Sequence, residues 1–187
     1  MSHRVGLLFG SFNPVHTGHL ILAQHCATRT DLAEVWLVVT PHNPFKAAAD
    51  LLPETERLRL VRLAVAGNPR LRAEDIEFGL PRPSYTIATV DALRRRHPGV
   101  GFVLLMGADN LPGLPQWKDA ARLLDEIDLY VYPRPGTPRP NVGPFPRARL
   151  LDAPLLDISA TYIRESLRTG LSIRYLVPPA VEAELLK

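Results

Sequence analysis

Short apolar runs alternate with longer amphipathic segments along this chain, and this alternation limits the folds open to it more than any other feature. Four runs have the length and composition of buried strands: 4–9, 35–39, 102–106 and 129–132. Four amphipathic segments have the periodicity of helices: 18–29, 53–66, 84–96 and 116–125. Strands that alternate with helices indicate βαβ units and a parallel sheet with right-handed crossovers. Ligands of such sheets bind beyond the carboxyl ends of the strands, so the functional residues are expected there.

A proline-rich segment divides the chain. Six prolines fall within residues 133–146, a composition that excludes a regular helix or strand. We therefore predict a single domain with a sheet body at about 1–132, an irregular loop at 133–146 and a C-terminal part at 147–187. The C-terminal part is predicted to hold a short strand and two helices: a strand at 149–151, a helix at 160–169 that Gly170 ends, and a last helix after Pro178 and Pro179.

Composition excludes several classes of protein. Hydrophobic residues make up 46% and charged residues 22% of the 187 residues, which is typical of a globular protein rather than a disordered one. The net charge of +3 is too small to indicate a nucleic-acid partner. The single cysteine, Cys26, excludes a disulfide framework, and no run approaches the roughly 18 apolar residues of a membrane span. A cytoplasmic protein without a membrane or nucleic-acid partner is the expectation.

The first predicted strand leads into a glycine-containing turn and a helix whose first turn carries His16 and His19. Their spacing of three residues places both imidazoles on one helix face, and Gly18 between them allows a ligand to approach the backbone. Two inert histidines are one reading, and a zinc site is another, although no nearby side chain offers the third ligand that zinc requires. The free N–H groups of a helix start favour phosphate. The residues therefore indicate a nucleotide phosphate site.

A second cluster of polar residues lies near the end of the chain. Ser159, Thr161 and Arg164 lie at the start of the predicted helix at 160–169. A helix cap and a weak surface ion pair would account for them without a ligand. Hydroxyls and a guanidinium at a helix start would also suit phosphate groups.

Three further groups lie at predicted element ends. Ser84 is placed to cap the third helix, with Tyr85 and Thr86 beside it. Asp109 follows the strand at 102–106, where its carboxylate would accept hydrogen bonds from ribose or reach a magnesium shell. Trp117 is either part of the core or a platform for a flat aromatic cation.

The segment from Gly10 to His19 resembles the Gly-x-Phe-x-Pro-x-His-x-Gly-His motif of a nucleotidyltransferase superfamily. The His-x-Gly-His core also occurs in class I aminoacyl-tRNA synthetases, which are much longer. The segment 158–164 resembles the second phosphate motif of the superfamily, with Ala160 where serine is frequent. The segments 83–86, 107–111, 41–46 and 134–136, with Trp117, are similar to the branch of nicotinate-nucleotide adenylyltransferases; Ala88 departs from the Asp that the branch often carries.

The resemblance implies an α/β fold, a Rossmann-like doubly wound parallel sheet with a small helical C-terminal extension. It implies transfer of AMP from ATP to nicotinate mononucleotide, with magnesium accompanying ATP and no metal held by the protein alone. The implied catalytic residues are His16 and His19. The implied ATP and phosphate contacts are Gly10, Ser11, Phe12, Gly18, Gly107, Asp109, Ser159, Thr161 and Arg164. The implied contacts of nicotinate mononucleotide are Lys46, Tyr85, Thr86, Trp117 and Arg134.

Two alternatives remain open from the sequence. A pantetheine-phosphate adenylyltransferase would use the same chemistry on another acceptor, and a regulator would bind ATP without turning it over. The sequence does not decide between nicotinate and nicotinamide mononucleotide. It also leaves the oligomeric state open, a homo-oligomer included.

Overall fold

A computed structural model of the chain describes residues 3–41, 51–136, 140–154 and 156–187. The strands are β1 (Arg4–Gly10), β2 (Glu34–Val39), β3 (Leu71–Glu74), β4 (Gly101–Gly107), β5 (Asp128–Tyr132) and β6 (Ala148–Leu150). The α-helices are α1 (Thr17–Arg29), α2 (Glu54–Val65), α3 (Thr86–Arg96), α4 (Ala120–Glu126), α5 (Ala160–Arg168) and α6 (Pro179–Leu185). Two 3₁₀ segments cover Ile76–Gly79 and Ala108–Gln116.

The six strands form one sheet in the order β3-β2-β1-β4-β5-β6, and every neighbouring pair is parallel. The chain runs outward from β1 in one direction to β3 and then outward from β4 in the other. The crevice between the carboxyl ends of β1 and β4 is therefore the point where the winding reverses, which is where such sheets bind ligands. The predicted Rossmann-like, doubly wound sheet is confirmed.

Helices cover both faces of the sheet because the strands bury side chains on both. Leu8 of β1 belongs to a core cluster that also holds apolar residues of α1, α2, α5 and α6. Leu7, the next residue, belongs to the opposite cluster, which holds residues of α3, α4 and the segment Ala108–Gln116. This alternation along β1 follows from the two-residue period of a strand and explains its continuous apolar sequence.

The main differences from the predicted elements concern short segments. β3 was not predicted, because Leu-Arg-Ala-Glu carries too few apolar residues, and it forms by pairing with β2 at the edge of the sheet. The helix predicted at 116–125 is wrong in its first turn: the 3₁₀ segment that contains Pro112 and Pro115 precedes it, and α4 begins at Ala120. The described residues of the proline-rich segment 133–146 form no helix or strand, as predicted.

Every helix among the described residues is too short or too polar to cross a lipid bilayer.

Candidate active site

A cleft of about 550 Å³ opens at the carboxyl ends of β1 and β5. Its walls come from the loop that joins β1 to α1, from the first residues after β5, and from the start of α5. Ten of the site residues expected from the sequence lie in its lining: Gly10, Ser11, Phe12, His16, Gly18, His19, Arg134, Ser159, Thr161 and Arg164. The fold therefore brings together residues from three separate parts of the chain.

The two histidines form a compact pair at the start of α1. Their rings stack with centroids 3.6 Å apart and planes inclined by 25°. The Phe12 ring meets His19 edge-on, with centroids 4.9 Å apart, and thereby limits how the His19 ring can turn. A side chain at Gly10 would place its Cβ 2.9 Å from the Phe12 ring, so the glycine is required for Phe12 to pack there.

The surroundings affect the charge of His16 and the tautomer of His19. Burial, with Arg134 nearby as a second cause, lowers the pKa of His16 to about 4, so its imidazole is neutral at physiological pH. The backbone N–H of His16 donates to Nδ1 of His19 at 3.2 Å. A neutral His19 whose Nδ1 accepts a hydrogen bond carries its proton on Nε2. His16 is therefore a neutral N–H donor, and His19 directs Nε2 away from the bond that its Nδ1 accepts.

The second polar cluster contacts the first directly. Nη1 of Arg164 donates to the backbone carbonyl of Asn13 at 2.9 Å, across 151 positions of sequence. The hydroxyl of Ser159 accepts the backbone N–H of Tyr162 at 3.1 Å and caps α5. The capping reading of Ser159 is thus confirmed, and the same residue lines the cleft. The start of α5 faces the loop that holds the histidines, and together they form two walls of one cleft.

The segment before α6 fixes the first turn of α1. The backbone N–H of Thr17 donates to the Leu176 carbonyl at 2.8 Å, and its hydroxyl donates to the Tyr175 carbonyl at 3.0 Å. Thr17 follows His16, so these bonds restrict the position of the histidine pair. The C-terminal part therefore supports the site as well as lining it.

Gly107 ends β4 and Asp109 follows it; both lie outside the cleft lining and contact Arg134, which lines the cleft. Nε of Arg134 lies 3.4 Å from Oδ1 of Asp109. A Cβ at Gly107 would lie 2.3 Å from the same carboxylate oxygen and 3.0 Å from Nε of Arg134. The glycine thus leaves room for this ion pair, which joins the residues that follow β4 and β5.

Two of the residues expected to bind the acceptor, Tyr85 and Thr86, lie at the start of α3. Tyr85 precedes the helix and is partly exposed, and Nζ of Lys118 lies 4.6 Å from the centre of its ring. Trp117, next to Lys118, packs half-buried against the core cluster of α3 and α4. Tyr85, Thr86 and Trp117 do not line the cleft among the residues that the structure describes. Lys46 lies outside the described residues.

The predicted cap of α3 does not form. No side-chain oxygen accepts a hydrogen bond from the first turn of α3, and Tyr85 rather than Ser84 is the residue that precedes it. The Ser84 hydroxyl oxygen is instead buried, with no hydrogen-bond partner among the described residues. The backbone runs one residue longer before the helix than the sequence indicated.

Tyr132 is one of the cleft residues that sequence reasoning missed. It is the last residue of β5 and lines the cleft, and burial raises the pKa of its phenol. Its place at the carboxyl end of a predicted strand is the signal that would have identified it. Within the described ranges, no group of three or more His, Cys, Asp and Glu side chains is arranged to hold a metal ion.

Comparison with known proteins agrees with this geometry. Residues 7–166 match the model of the family described as cytidylyltransferase-like. A probable nicotinate-nucleotide adenylyltransferase of Cytophaga hutchinsonii is 49% identical over 183 residues, covering 98% of this chain and 95% of the relative. One of Bacteroides fragilis is 46% identical over 184 residues, covering 98% of this chain and 92% of the relative.

Solved structures support the fold. The nicotinic acid mononucleotide adenylyltransferase of Plasmodium falciparum, complexed with NaAD, superposes with a TM-score of 0.82 at 16% identity and covers 98% of this chain and 95% of its own. A putative nicotinate-nucleotide adenylyltransferase of Vibrio parahaemolyticus superposes with a TM-score of 0.76 at 18% identity, with 99% of both chains covered. At these identities the structures establish the fold, and the curated relatives establish the branch. The chain therefore belongs to the cytidylyltransferase-like family and, within it, to the nicotinate-nucleotide adenylyltransferases.

Proposed function

We propose that this protein transfers the AMP part of ATP to nicotinate mononucleotide and releases pyrophosphate, as an enzyme of NAD biosynthesis. The observation that carries the proposal is the bond between Arg164 and the Asn13 carbonyl, which brings two phosphate-type motifs into one cleft. A cleft of about 550 Å³ lies within the range of small-molecule sites. The names of the relatives from Cytophaga hutchinsonii and Bacteroides fragilis support nicotinate mononucleotide as the acceptor.

The reaction needs little covalent chemistry from the protein. An oxygen of the acceptor's 5′-phosphate attacks the α-phosphorus of ATP, a new P–O bond forms, and the bond between the α-phosphorus and the bridging oxygen breaks. Pyrophosphate leaves with that oxygen and its electron pair. The attacking phosphate is already anionic at neutral pH, so no side chain must remove a proton from it. Catalysis therefore depends on positioning and on stabilising the charge that develops on the phosphoryl oxygens.

The histidine pair suits this task. His19 presents an Nε2–H donor, and His16, with its low pKa, remains neutral over the physiological range. Hydrogen-bond donors held in a partly buried cleft stabilise developing negative charge without reorganising. We assign both residues to the oxygens of the transferred phosphate.

The start of α5 is assigned to the leaving pyrophosphate. Ser159, Thr161 and Arg164 lie on the wall of the cleft opposite the histidines, at the positive end of the helix. The acidic residues that the structure describes form no metal cage. We assign magnesium to the MgATP complex, as part of the substrate. This assignment gives each of the two motifs its own part of the triphosphate.

The acceptor is assigned to the crevice on the α3 side. Tyr85, Thr86 and Trp117 would bind the nicotinate end, and Lys46 and Arg134 would contribute positive charge toward the acceptor phosphate. Arg134 supports this division, since it lies in the cleft and pairs with Asp109 at its border. An acceptor phosphate beside Arg134 would lie next to the histidine pair, where the attack must occur.

The test is pyrophosphate release from MgATP with three acceptors in parallel: nicotinate mononucleotide, nicotinamide mononucleotide and 4′-phosphopantetheine. We expect release with nicotinate mononucleotide at the highest kcat/KM. Faster release with phosphopantetheine would contradict the assignment of the acceptor but not that of the ATP site. ATP binding without pyrophosphate release in the presence of any acceptor would indicate that the protein is a regulator and not an enzyme. Arg62→Met, which changes an exposed residue of α2 away from the cleft, serves as the control.

A further inference from the structure

Among the residues that the structure describes, Arg57 of α2 is the largest that is completely buried, with only 1% exposed. It carries a guanidinium into the interior, and burial lowers its pKa. No carboxylate forms a hydrogen bond or an ion pair with it among the described residues; the nearby Glu54 is paired with Arg82 instead. Burial of a charge without a counter-ion lowers the stability of the folded chain. The groups that the guanidinium binds therefore indicate why the arginine is retained.

Within the described part of the chain, the hydrogen-bond partners of Arg57 are all main-chain carbonyls. Nη1 donates to the carbonyls of Ser11 at 2.5 Å and Thr40 at 2.8 Å. Nη2 donates to that of Pro41 at 2.7 Å, and Nε donates to that of Leu52 at 3.0 Å. Four of the five N–H donors of the guanidinium are thus used on loop backbone.

These carbonyls belong to the substrate-binding edge of the sheet. Ser11 is in the loop after β1, which carries the histidine pair, and Thr40 and Pro41 follow β2. One rigid, planar group therefore joins two neighbouring loops at the carboxyl edge and the residue that leads into α2. A lysine, with a single nitrogen on a flexible stem, cannot bind the same four oxygens at once.

The bond to Ser11 also fixes the peptide that precedes Phe12. This peptide is trans, so its carbonyl and the Phe12 N–H point in opposite directions. Since the carbonyl points to Arg57, the Phe12 N–H points away from it. Phe12 has a φ of 46°, a left-handed conformation that is unfavourable for a bulky side chain and must be held by its surroundings.

We propose that Arg57 is a positioning residue for ATP binding, which holds the loop after β1 against Thr40 and Pro41 after β2 and against Leu52 before α2. It acts through the backbone of Ser11 and Phe12 and does not touch the substrate. The inference rests on the proposed function for the identity of the ligand, MgATP. It predicts that loss of the guanidinium weakens ATP binding more than loss of stability alone would.

The test is isothermal titration calorimetry of MgATP without an acceptor, on the wild-type chain and on Arg57→Lys. Lysine keeps the charge and most of the volume, and Arg57→Met, which removes every donor, is the second variant. We expect the Kd of ATP to rise about tenfold or more in Arg57→Lys and further in Arg57→Met, because hydrogen bonds to charged phosphate are sensitive to misplacement. Arg62→Met, an exposed arginine on the same helix, should keep the wild-type Kd.

A purely structural role is distinguished by a variant that is destabilised elsewhere. Leu123→Ala removes a buried side chain of α4 in the opposite core cluster, and its midpoint of urea unfolding should fall as well. At temperatures where all variants are folded by circular dichroism, Leu123→Ala should bind ATP with the wild-type Kd. An equal loss of affinity in Leu123→Ala and Arg57→Lys would overturn the inference, as would a folded Arg57→Lys with the wild-type Kd.

The calorimetry also separates this inference from the proposed function. A wild-type chain that binds ATP but releases no pyrophosphate with any acceptor contradicts the proposed function, while weaker binding by Arg57→Lys still supports the role of Arg57. Release with nicotinate mononucleotide at the same kcat/KM in both chains, with equal Kd values for ATP, contradicts the role of Arg57 alone. A wild-type chain that does not bind ATP contradicts both.

Discussion

Replacement of His16 by glutamine should remove a large part of the acid sensitivity of this protein. His16 is buried in the cleft, stacked on His19, and burial lowers its pKa from 6.5 to about 4. Glutamine keeps an N–H donor and a similar size but cannot take up a proton. The wild-type chain should therefore lose stability on acidification by a route that His16→Gln lacks.

The magnitude follows from the two pKa values of His16. Above pH 6.5 the imidazole is neutral in both the folded and the unfolded chain, so it has no effect on the pH dependence. Between pH 6.5 and about 4 the unfolded chain binds a proton that the folded chain does not, and the free energy of unfolding falls by about 1.4 kcal/mol per pH unit. The difference between wild type and His16→Gln should thus change by about 3 kcal/mol between pH 7.5 and pH 4.

Urea unfolding at a series of pH values, followed by the fluorescence of the buried Trp36, measures this difference. Other groups titrate in the same range, but they are shared by both proteins and cancel in the comparison. Parallel curves for the two proteins would refute the reasoning. An imidazole resonance of His16 that titrates near 6.5 in the folded wild-type chain would refute it independently.

Three further predictions concern the cleft. His19→Ala should lower kcat in the pyrophosphate-release assay by about 10²–10³, the loss typical of one electrostatic donor; near-normal turnover would remove His19 from the site. Ser159→Asp should keep the cap of α5, and hence the urea midpoint, but raise the KM of ATP by about tenfold or more, because it adds a negative charge beside the phosphates. An unchanged KM would show that Ser159 caps α5 but does not lie beside the phosphates. Gly107→Ala should displace the carboxylate of Asp109, which is exposed and free to move, so the free energy of unfolding should change by less than about 1 kcal/mol while kcat/KM falls; equal kcat/KM values would show that this ion pair is not needed.

The layered fold could be predicted because each strand of the core is an uninterrupted apolar run. β1, β2, β4 and β5 are buried on both faces, so their sequences differ sharply from those of the amphipathic helices. β3 could not be recognised, since Leu71 and Ala73 are its only apolar residues and its pairing with β2 decides its conformation. Edge strands depend on a neighbour that the local sequence does not specify.

Some residues of the candidate site could likewise be recognised from the sequence, and others could not. His16 and His19 were recognisable because a spacing of three residues at a helix start brings two side chains to the same side of the helix. Ser159 was recognisable because a helix start favours a hydroxyl. The contact of Arg164 with Asn13 was not recognisable, since it joins residues 151 positions apart. Arg57 gave a weak local signal: it lies one turn before Leu60 and Val61, on the buried face of α2, where a charged residue is unusual. Only the folded backbone reveals that four carbonyls meet there.

The long sequence separation between Asn13 and Arg164 has a consequence for synthesis of the protein. The strands β1 to β5 can begin to pair while the chain is still being translated, because domains assemble from the N-terminus as it emerges. The cavity gains its second wall only when α5 has been translated and has docked against the loop after β1. ATP can therefore stabilise only the last step of assembly. A chain cut within residues 140–154 would retain both histidines but lose Arg164, and with it the wall that we assign to the leaving pyrophosphate.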